Sequence, residues 1–183
     1  MNVALFTKSL AVLTIVAQIF IFLGVFTFAS SRLRTEILAK LKNRITQTHF
    51  LIAAYIVALV ATLGSLFYSD VAGYTPCKLC WYQRILMYPQ IILYLTALVI
   101  KDKSIAFFGI SLSAVGALLA AYHYLLQIGI LKTTSCSTVG FSVTCSENFG
   151  TTFGYITIPM MSLSAFLLIT VIWLLKLKVY NSN

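Results

Sequence analysis

Residues 49–68 read HFLIAAYIVALVATLGSLFY, a run of twenty residues without one Asp, Glu, Lys or Arg. A helix needs about 20 predominantly apolar residues to cross the hydrocarbon core of a bilayer. A helix is also the one open segment that satisfies its own backbone hydrogen bonds in lipid. This stretch therefore predicts a membrane-spanning helix.

Four further apolar runs lie along the chain, at about residues 9–29, 81–100, 104–131 and 155–175. Apolar types make up 60% of the 183 residues. Charged types make up only 9%, whereas a soluble domain carries about 25%. So few charges cannot cover a water-exposed surface, which argues against a soluble enzyme and a disordered chain. The sequence predicts an all-α integral membrane protein, a four-helix transmembrane bundle with one additional N-terminal hydrophobic helix.

The basic residues predict the orientation of these helices. Nine of the thirteen Lys and Arg residues lie in three segments, namely residues 30–48, 101–103 and the tail after 175. These segments share one side if all five runs span, and basic residues concentrate in cytoplasmic loops. We therefore expect a cytoplasmic C-terminus. The net charge of +9 could suggest binding to nucleic acid. The clustering of the basic residues at the ends of apolar runs argues against that function.

Two units follow from this arrangement. Residues 1–48 form the extra N-terminal helix and a basic cytoplasmic linker, and residues 49–178 form a four-helix membrane domain with outer loops 69–80 and 132–154. The first run could instead be a signal peptide, or an interfacial or re-entrant segment. Cleavage of a signal peptide would leave the basic residues at 32–44 outside the cell, against the charge rule. We expect a retained helix.

Each outer loop carries two of the four cysteines: Cys77 with Cys80, and Cys136 with Cys145. The outer side is an oxidising compartment, which favours disulfide chemistry. A metal site takes three or four ligands, and the nearest histidine lies inside an apolar run, so we predict no metal. A static staple remains an alternative for each pair, although C-x-x-C closes too small a ring to stabilise much.

The position of the first pair indicates redox chemistry. Thr75 and Pro76 predict a capped helix start that places Cys80 near the first turn, where the helix dipole favours a thiolate. Arg84 follows four residues later on the same face, and its charge favours the same anion. An Arg that merely reaches for the lipid head groups is the alternative.

Thiol oxidation needs an electron acceptor. The sequence has no Gly-rich dinucleotide fingerprint, no haem-attachment motif and no soluble domain for a flavin. A membrane quinone is the most economical acceptor, with Arg84 able to donate to a ring oxygen. His123, with Gln127 one turn further along, could bond the quinone or relay its protons. An internal packing hydrogen bond is the alternative for His123.

Three features resemble the DsbB/BdbC family of disulfide bond formation proteins. They are P-C-K-L-C-W-Y-Q-R at 76–84, a histidine thirteen residues before the third cysteine, and F-G-Y-I-T-I-P-M-M-S at 153–162. The resemblance covers about residues 45–178. It implies a protein-disulfide:quinone oxidoreductase of the bacterial cytoplasmic (inner) membrane, supporting protein folding outside the cytoplasm. Such an enzyme reoxidises a DsbA/BdbD-like thioredoxin-fold thiol oxidase and passes electrons to ubiquinone or menaquinone.

The resemblance also implies a role for each cysteine. Cys80 corresponds to the cysteine next to the quinone, and Cys77 to its partner, which bridges to the mobile second loop during turnover. Cys136 corresponds to the cysteine that forms the mixed disulfide with the partner protein, and Cys145 to its resolving mate. Two positions correspond to cofactor-binding residues: Arg84 and His123.

Two departures and two alternatives accompany this resemblance. The spacing from Cys136 to Cys145 is shorter than in enterobacterial members and closer to the BdbC branch, and the N-terminal helix has no counterpart in the four-helix core. A quinone reductase of vitamin K epoxide reductase type is one alternative, but its C-x-x-C lies near the end of the bundle sequence. A small membrane subunit with structural disulfides is the other, and it leaves Arg84 beside the C-x-x-C unexplained.

Overall fold

A computed structural model of the chain describes residues 2–29, 44–101, 105–131, 145 and 150–181. Five α-helices run through these residues: α1 (Val3–Ala29), α2 (Gln47–Leu66), α3 (Lys78–Ile100), α4 (Ala106–Gln127) and α5 (Ile158–Asn181). All five are long and apolar enough to cross a membrane. The predicted architecture, a four-helix bundle with one extra N-terminal helix, is confirmed.

The four helices α2 to α5 form the bundle, and α1 lies against its outside. The most extensive contacts join α4 to α5, and α2 to α3. In contrast, α1 packs mainly along α5 and leaves most of its surface outside the protein. A helix that is apolar all round and mostly unburied needs a lipid surrounding, which fits a membrane protein.

A polar network at the centre of the bundle ties three helices together. The Tyr94 hydroxyl on α3 donates to Gln90 Oε1 at 2.6 Å, and Ser113 on α4 donates to the same oxygen at 3.0 Å. Trp173 Nε1 on α5 donates to the Tyr94 hydroxyl at 3.1 Å. All four side chains are buried. Without water in the bilayer core, such groups must satisfy one another, so the network fixes the register of α3, α4 and α5.

Small residues on α4 allow α5 to approach closely. A Cβ at Gly116 would overlap the ring of Phe166, and a Cβ at Gly109 would overlap the indole of Trp173. Both rings are completely buried and cannot turn away. Close approach of backbones through small residues is a usual way in which membrane helices associate without a hydrophobic driving force.

Gly116→Ala should destabilise the protein by about 1–3 kcal/mol, because the added methyl group forces a buried ring out of its rotamer. The measurement is reversible unfolding of the purified protein in detergent micelles. Ser111→Thr adds a methyl group on the exposed face of the same helix and should change the unfolding free energy by less than about 0.5 kcal/mol. Equal stability of Gly116→Ala and wild type would contradict the tight α4–α5 contact.

The start of α3 and the end of α5 both extend beyond the boundaries expected from hydropathy. α3 begins at Lys78, so the first cysteine pair is part of the helix start rather than of a loop. α5 continues past residue 175 to Asn181. There the Lys176 side chain is buried, with its ammonium 5.8 Å from the centroid of the Trp173 ring. Packing against an aromatic ring extends this helix beyond its apolar run.

Candidate active site

The connection between α2 and α3 brings the first cysteine pair to the end of the bundle. α2 passes into a π-helical turn at Phe67–Val71, and Gly73 then takes a positive φ of 72°. Cys77 is the N-cap of α3, with extended backbone angles, and its Sγ accepts a hydrogen bond from the Cys80 N–H at 3.4 Å. The expected cap at Thr75 is therefore wrong, because the chain enters the helix two residues later.

The two thiols of this pair are in direct contact. Cys77 Sγ and Cys80 Sγ are 3.3 Å apart, and both cysteines are free. A disulfide needs a separation of about 2.05 Å, so a small shift of either sulfur would join them. Cys77 is buried and Cys80 is partly exposed. The pair is positioned for reversible oxidation to a disulfide.

His123 of α4 lies directly behind this pair. Its Nε2 is 3.6 Å from Cys77 Sγ, and its Nδ1 is 3.0 Å from the side-chain amide nitrogen of Gln83. Where that amide donates to Nδ1, the proton of the neutral ring is on Nε2, and Nε2–H donates to the sulfur. Both His123 and Gln83 are buried. Gln83 therefore fixes the ring orientation that His123 presents to Cys77.

Several groups around Cys77 stabilise its thiolate form. The pKa of Cys77 lies well below its ordinary value, because the neighbouring Cys80 thiol and, to a smaller extent, His123 stabilise the thiolate more than burial opposes it. The helix start adds the Cys80 N–H as a further donor. From its place in the first turn, Cys80 was expected to carry the thiolate. The structure adds Cys77 as a second candidate, because its N-cap sulfur accepts from the Cys80 N–H and faces His123 Nε2.

Alkylation of Cys77 by iodoacetamide should therefore depend weakly on pH between 7 and 5. An ordinary thiol loses about 100-fold in rate over that interval, because its thiolate fraction falls tenfold per pH unit. A thiol whose pKa lies well below the ordinary value keeps a larger thiolate fraction over the same interval. His123→Phe should move the pH profile of Cys77 alkylation upward, since one of the groups that stabilise the anion is lost.

The measurement is mass spectrometry of the alkylated dithiol protein, in which trypsin cleavage after Lys78 separates Cys77 from Cys80. His49→Phe is the matched control, because His49 is the only other histidine of the chain. It lies exposed on α2, and its Nδ1 accepts from the Thr46 N–H at 3.3 Å. A shift in both variants, or in neither, would contradict the contact between His123 and Cys77.

Arg84 is held one turn below the pair. Its Nε donates to Ser65 Oγ and its Nη2 to the Ser65 carbonyl oxygen, both at 3.0 Å. The guanidinium also lies 5.2 Å from the centroid of the Trp81 ring. Its Nη1 makes no hydrogen bond within the described part of the chain. Arg84 is therefore anchored to α2 and does not merely reach for the head groups, and it keeps a donor available for a ligand.

A cavity of about 370 Å³ connects these residues. Polar groups and sulfurs line one end of the cavity, namely those of Cys77, Cys80, Gln83, Arg84, His123 and Gln127. Apolar side chains of α1, α2 and α5 line most of the rest. The volume lies in the range of small-molecule sites. The cavity would accept a flat ring with polar edges at the sulfur end and an apolar chain along the rest.

Cys145 of the second cysteine pair lies beside the first pair. Cys145 is disulfide-bonded, is almost completely buried, and packs with Cys77, Leu79 and Leu126 in one cluster. It also lines the cavity. Cys136 lies outside the described residues. The structure thus brings together the first pair, which precedes α4 in the sequence, and Cys145, which follows it.

His123, which lies inside an apolar run of the sequence, is next to the first cysteine pair in the structure. The ligand atoms of Cys77, Cys80 and His123 all lie within 4.8 Å of one another, close enough for three ligands of one metal ion. His123 is therefore near enough to serve as a third ligand, contrary to the expectation that it lies too far from the cysteines. The prediction of no metal itself stays a prediction.

Two residues of the site were missed by sequence reasoning. Gln83, inside the C-x-x-C-x-x-x-R string, orients His123, and Ser65 on α2 binds Arg84 twice. Their residue types carry no signal, since Gln and Ser also occur in helices without a role. Gln83 could have been suspected, because it is a polar residue inside an apolar helix, and such residues usually face the bundle interior.

Comparisons with known proteins give a consistent result. A family model described as "Disulfide bond formation protein DsbB" matches residues 47–176, which include α2 to α4 and most of α5 but not α1. The chain is 44% identical over 131 residues to a "Probable disulfide formation protein" of Oceanobacillus iheyensis, covering 71% of this chain and 90% of that protein. It is 40% identical over 133 residues to "Disulfide bond formation protein C" of Bacillus subtilis, covering 72% and 92%. No solved structure matches the chain significantly.

Proposed function

Because this multi-pass membrane chain belongs to the DsbB family of disulfide bond formation proteins, we propose that it reoxidises a DsbA/BdbD-like thioredoxin-fold thiol oxidase and passes the electrons to a membrane quinone. The family membership makes it an oxidoreductase with a general role in disulfide bond formation. The partner oxidase and the quinone, ubiquinone or menaquinone, are the proposed part.

One observation carries the proposal: reactive sulfurs, a cation and an apolar cavity meet at one end of the bundle. The free Cys77–Cys80 pair, the buried Cys145 and Arg84 all line the same cavity. A quinone fits the donor set, because its ring oxygens accept hydrogen bonds and its chain is apolar. Arg84 would hold the ring end through its remaining N–H groups. His123, whose two ring nitrogens face Gln83 and Cys77, would line that end. The quinone would supply a two-electron acceptor that the cysteines themselves lack.

The first steps are thiol–disulfide exchanges. A thiolate of the reduced partner attacks Cys136 Sγ, the bond to Cys145 breaks, and Cys145 leaves as a thiolate. The second partner thiol then attacks the mixed disulfide and releases oxidised partner, or Cys145 attacks Cys77 within a Cys77–Cys80 disulfide. In that second route Cys80 leaves as a thiolate. The packing of Cys145 against Cys77 supports it.

The chain prepares Cys80 for the last step. While Cys77 is joined to Cys145, its sulfur no longer exchanges a proton with Cys80. The guanidinium of Arg84 lies one turn further along α3 and lines the same cavity. Arg84 stabilises negative charge at this end of the cavity, and Ser65 keeps the guanidinium in place. The oriented His123 ring offers a proton site next to Cys77.

The second partner thiol then attacks the mixed disulfide, which releases oxidised partner and frees Cys136. Cys136 attacks Cys145 of the interloop disulfide and frees Cys77. Cys77 then bonds to Cys80 as two electrons would pass to the quinone held there, which restores both disulfides.

The proposed orientation places this site outside the cytoplasm. Five spanning helices and the basic segments on one side support cytoplasmic placement of the C-terminus and outer placement of both cysteine loops, in a bacterial cytoplasmic (inner) membrane. Disulfides persist on that outer side. An alkaline phosphatase fusion after residue 131 should be active there, and one after residue 181 inactive.

The experiment is anaerobic quinone-dependent oxidation of a reduced DsbA-like protein by the purified membrane protein. Quinone loss should match the thiols oxidised, one quinone for each pair of partner thiols. No turnover together with cysteines that resist mild reductants would favour the structural-disulfide alternative. Quinone reduction driven by small dithiols but not by a DsbA-like protein would favour the quinone reductase alternative.

A further inference from the structure

We propose that α1 forms the binding wall for the apolar tail of the quinone, so that this helix makes the site selective for long-tailed quinones. The inference rests on the proposed function, since the tail belongs to the quinone assigned there. The residues matched by the family begin at 47, so α1 lies outside them. It therefore adds a wall that the matched four helices do not supply.

One face of α1 lines the cavity. Leu10, Leu13, Ala17 and Phe20 recur at helical spacing and contribute to the lining together with Thr14. The Thr14 hydroxyl donates to the Leu10 carbonyl at 2.8 Å and so presents no free donor to the cavity. From Leu10 to Phe20 the face extends about 15 Å at the rise of an α-helix. This apolar strip is long enough to contact several units of an isoprenoid chain.

Polar contacts fix α1 in this position. Gln18 Nε2 donates to the Ser164 hydroxyl of α5 at 3.2 Å, and the Tyr155 hydroxyl donates to Gln18 Oε1 at 2.8 Å. A primary amide bonded at both its ends is costly to displace in an apolar surrounding. These bonds set the depth and the rotation of α1 against α5. They point the cavity-lining face of α1 toward the sulfurs.

Close packing along the helix supports the same placement. A Cβ at Gly24 would meet Val171 Cγ1 of α5 at 2.5 Å, and a Cβ at Gly64 of α2 would meet Leu10 Cδ1 at 3.1 Å. Near the outer end, the rings of Phe6 and Phe67 have centroids 3.8 Å apart. α1 thus touches α5 deep in the bundle and α2 near the sulfurs. The cavity lies between these two lines of contact.

The direction of the cavity assigns its two ends. The polar groups and sulfurs lie at the start of α3, and Ala17 and Phe20 lie further along α1 from Phe6, which marks the sulfur end. A ring bound near Arg84 therefore directs its tail past Ala17 and Phe20. A phospholipid acyl chain has the same apolar chemistry and is the competing occupant of the strip.

The test is photolabelling with a long-tailed ubiquinone that carries a diazirine on its tail, followed by mass spectrometry. We expect label on α1 peptides of the wild-type protein. Ala17→Trp fills the strip, and label and co-purified quinone should fall at least about tenfold, as expected when an anchored apolar segment is lost. Ile19→Trp is the matched control, because Ile19 lies on the opposite face of α1 and is not among the residues that line the cavity. It should leave both readouts unchanged.

Kinetics separate the tail from the ring. Ala17→Trp should raise KM for the long-tailed quinone about tenfold or more and leave KM for a tail-less quinone within about twofold. Phe20→Ala, which enlarges the strip without filling it, should also lower retained quinone. It keeps the inference testable if Ala17→Trp fails to fold. Equal effects on both quinones, or equal effects in Ile19→Trp, would overturn the inference.

Failure of this inference can be told from failure of the proposed function. Quinone turnover by the wild type with no label on α1 overturns the tail wall alone. Label from a photoreactive phospholipid on α1 that excess quinone does not displace also overturns it, in favour of a lipid. No turnover and no quinone label on any part of the protein overturns the proposed function together with the inference.

Discussion

Replacing Cys80 with serine should abolish quinone-dependent turnover, while the protein still oxidises one equivalent of reduced partner. Serine preserves the size of the side chain at the start of α3, but its hydroxyl can neither form a disulfide nor leave as a stabilised anion. The Cys77–Cys80 pair, whose sulfurs are 3.3 Å apart, is then lost as an electron carrier. The second loop keeps its own disulfide, which can accept two electrons once.

The measurement combines anaerobic quinone absorbance with a thiol count on the partner. The single equivalent of oxidised partner serves as an internal control, because a misfolded protein would give none. Arg84 and His123 remain in place, so quinone binding should be retained. Continued multiple turnover by Cys80→Ser would remove Cys80 from the electron path and with it the proposed role of the pair.

Replacing Cys136 with alanine should abolish oxidation of the partner and leave the Cys77–Cys80 disulfide able to form with quinone. The expected order assigns partner attack to Cys136, which the burial of Cys145 supports. Cys145 is only 1% exposed, so a bulky thioredoxin-fold partner cannot reach it without a rearrangement of the loop. Cys136→Ala therefore separates the two halves of the reaction.

Cys145→Ala is the matched variant that tests this order. It leaves Cys136 as a free thiol with no resolving mate, so that an oxidised partner should be trapped as a covalent complex. Cys136→Ala should give no such complex under the same conditions. A complex with Cys136→Ala and none with Cys145→Ala would reverse the two roles. Non-reducing electrophoresis measures both outcomes.

The helices could be predicted from the sequence because a charge-free run of bilayer length has few other uses. The placement of α1 could not. In a soluble protein, an amphipathic stripe marks the buried face of a helix. Lipid is as apolar as a protein core, so the strip that lines the cavity and the face toward lipid have the same composition. The two hydrogen bonds of Gln18, to Ser164 and Tyr155, mark the side of α1 that faces the protein.

The candidate site was predictable in its residue types but not in its contacts. The C-x-x-C string and Arg84 could be recognised because they follow one another at helical spacing at the start of α3. The contact of His123 with Cys77 joins residues 46 positions apart and depends on how α4 packs against α3. The choice of Cys77 rather than Thr75 as N-cap depends on the turn after Gly73, which local sequence preferences do not fix.

The sulfur of Cys77 caps α3, and it is also one of the two sulfurs of the proposed redox pair. It accepts the Cys80 amide proton in the dithiol form, and bonding to another sulfur changes its charge and its acceptor strength. The stability of the first turn of α3 and the reduction potential of the Cys77–Cys80 pair are therefore linked. Any change that stabilises the capped turn favours the reduced form of the pair. Each catalytic cycle would then tighten and loosen the start of a membrane helix, and a lipid environment that strains this helix end would alter the reduction potential of the pair.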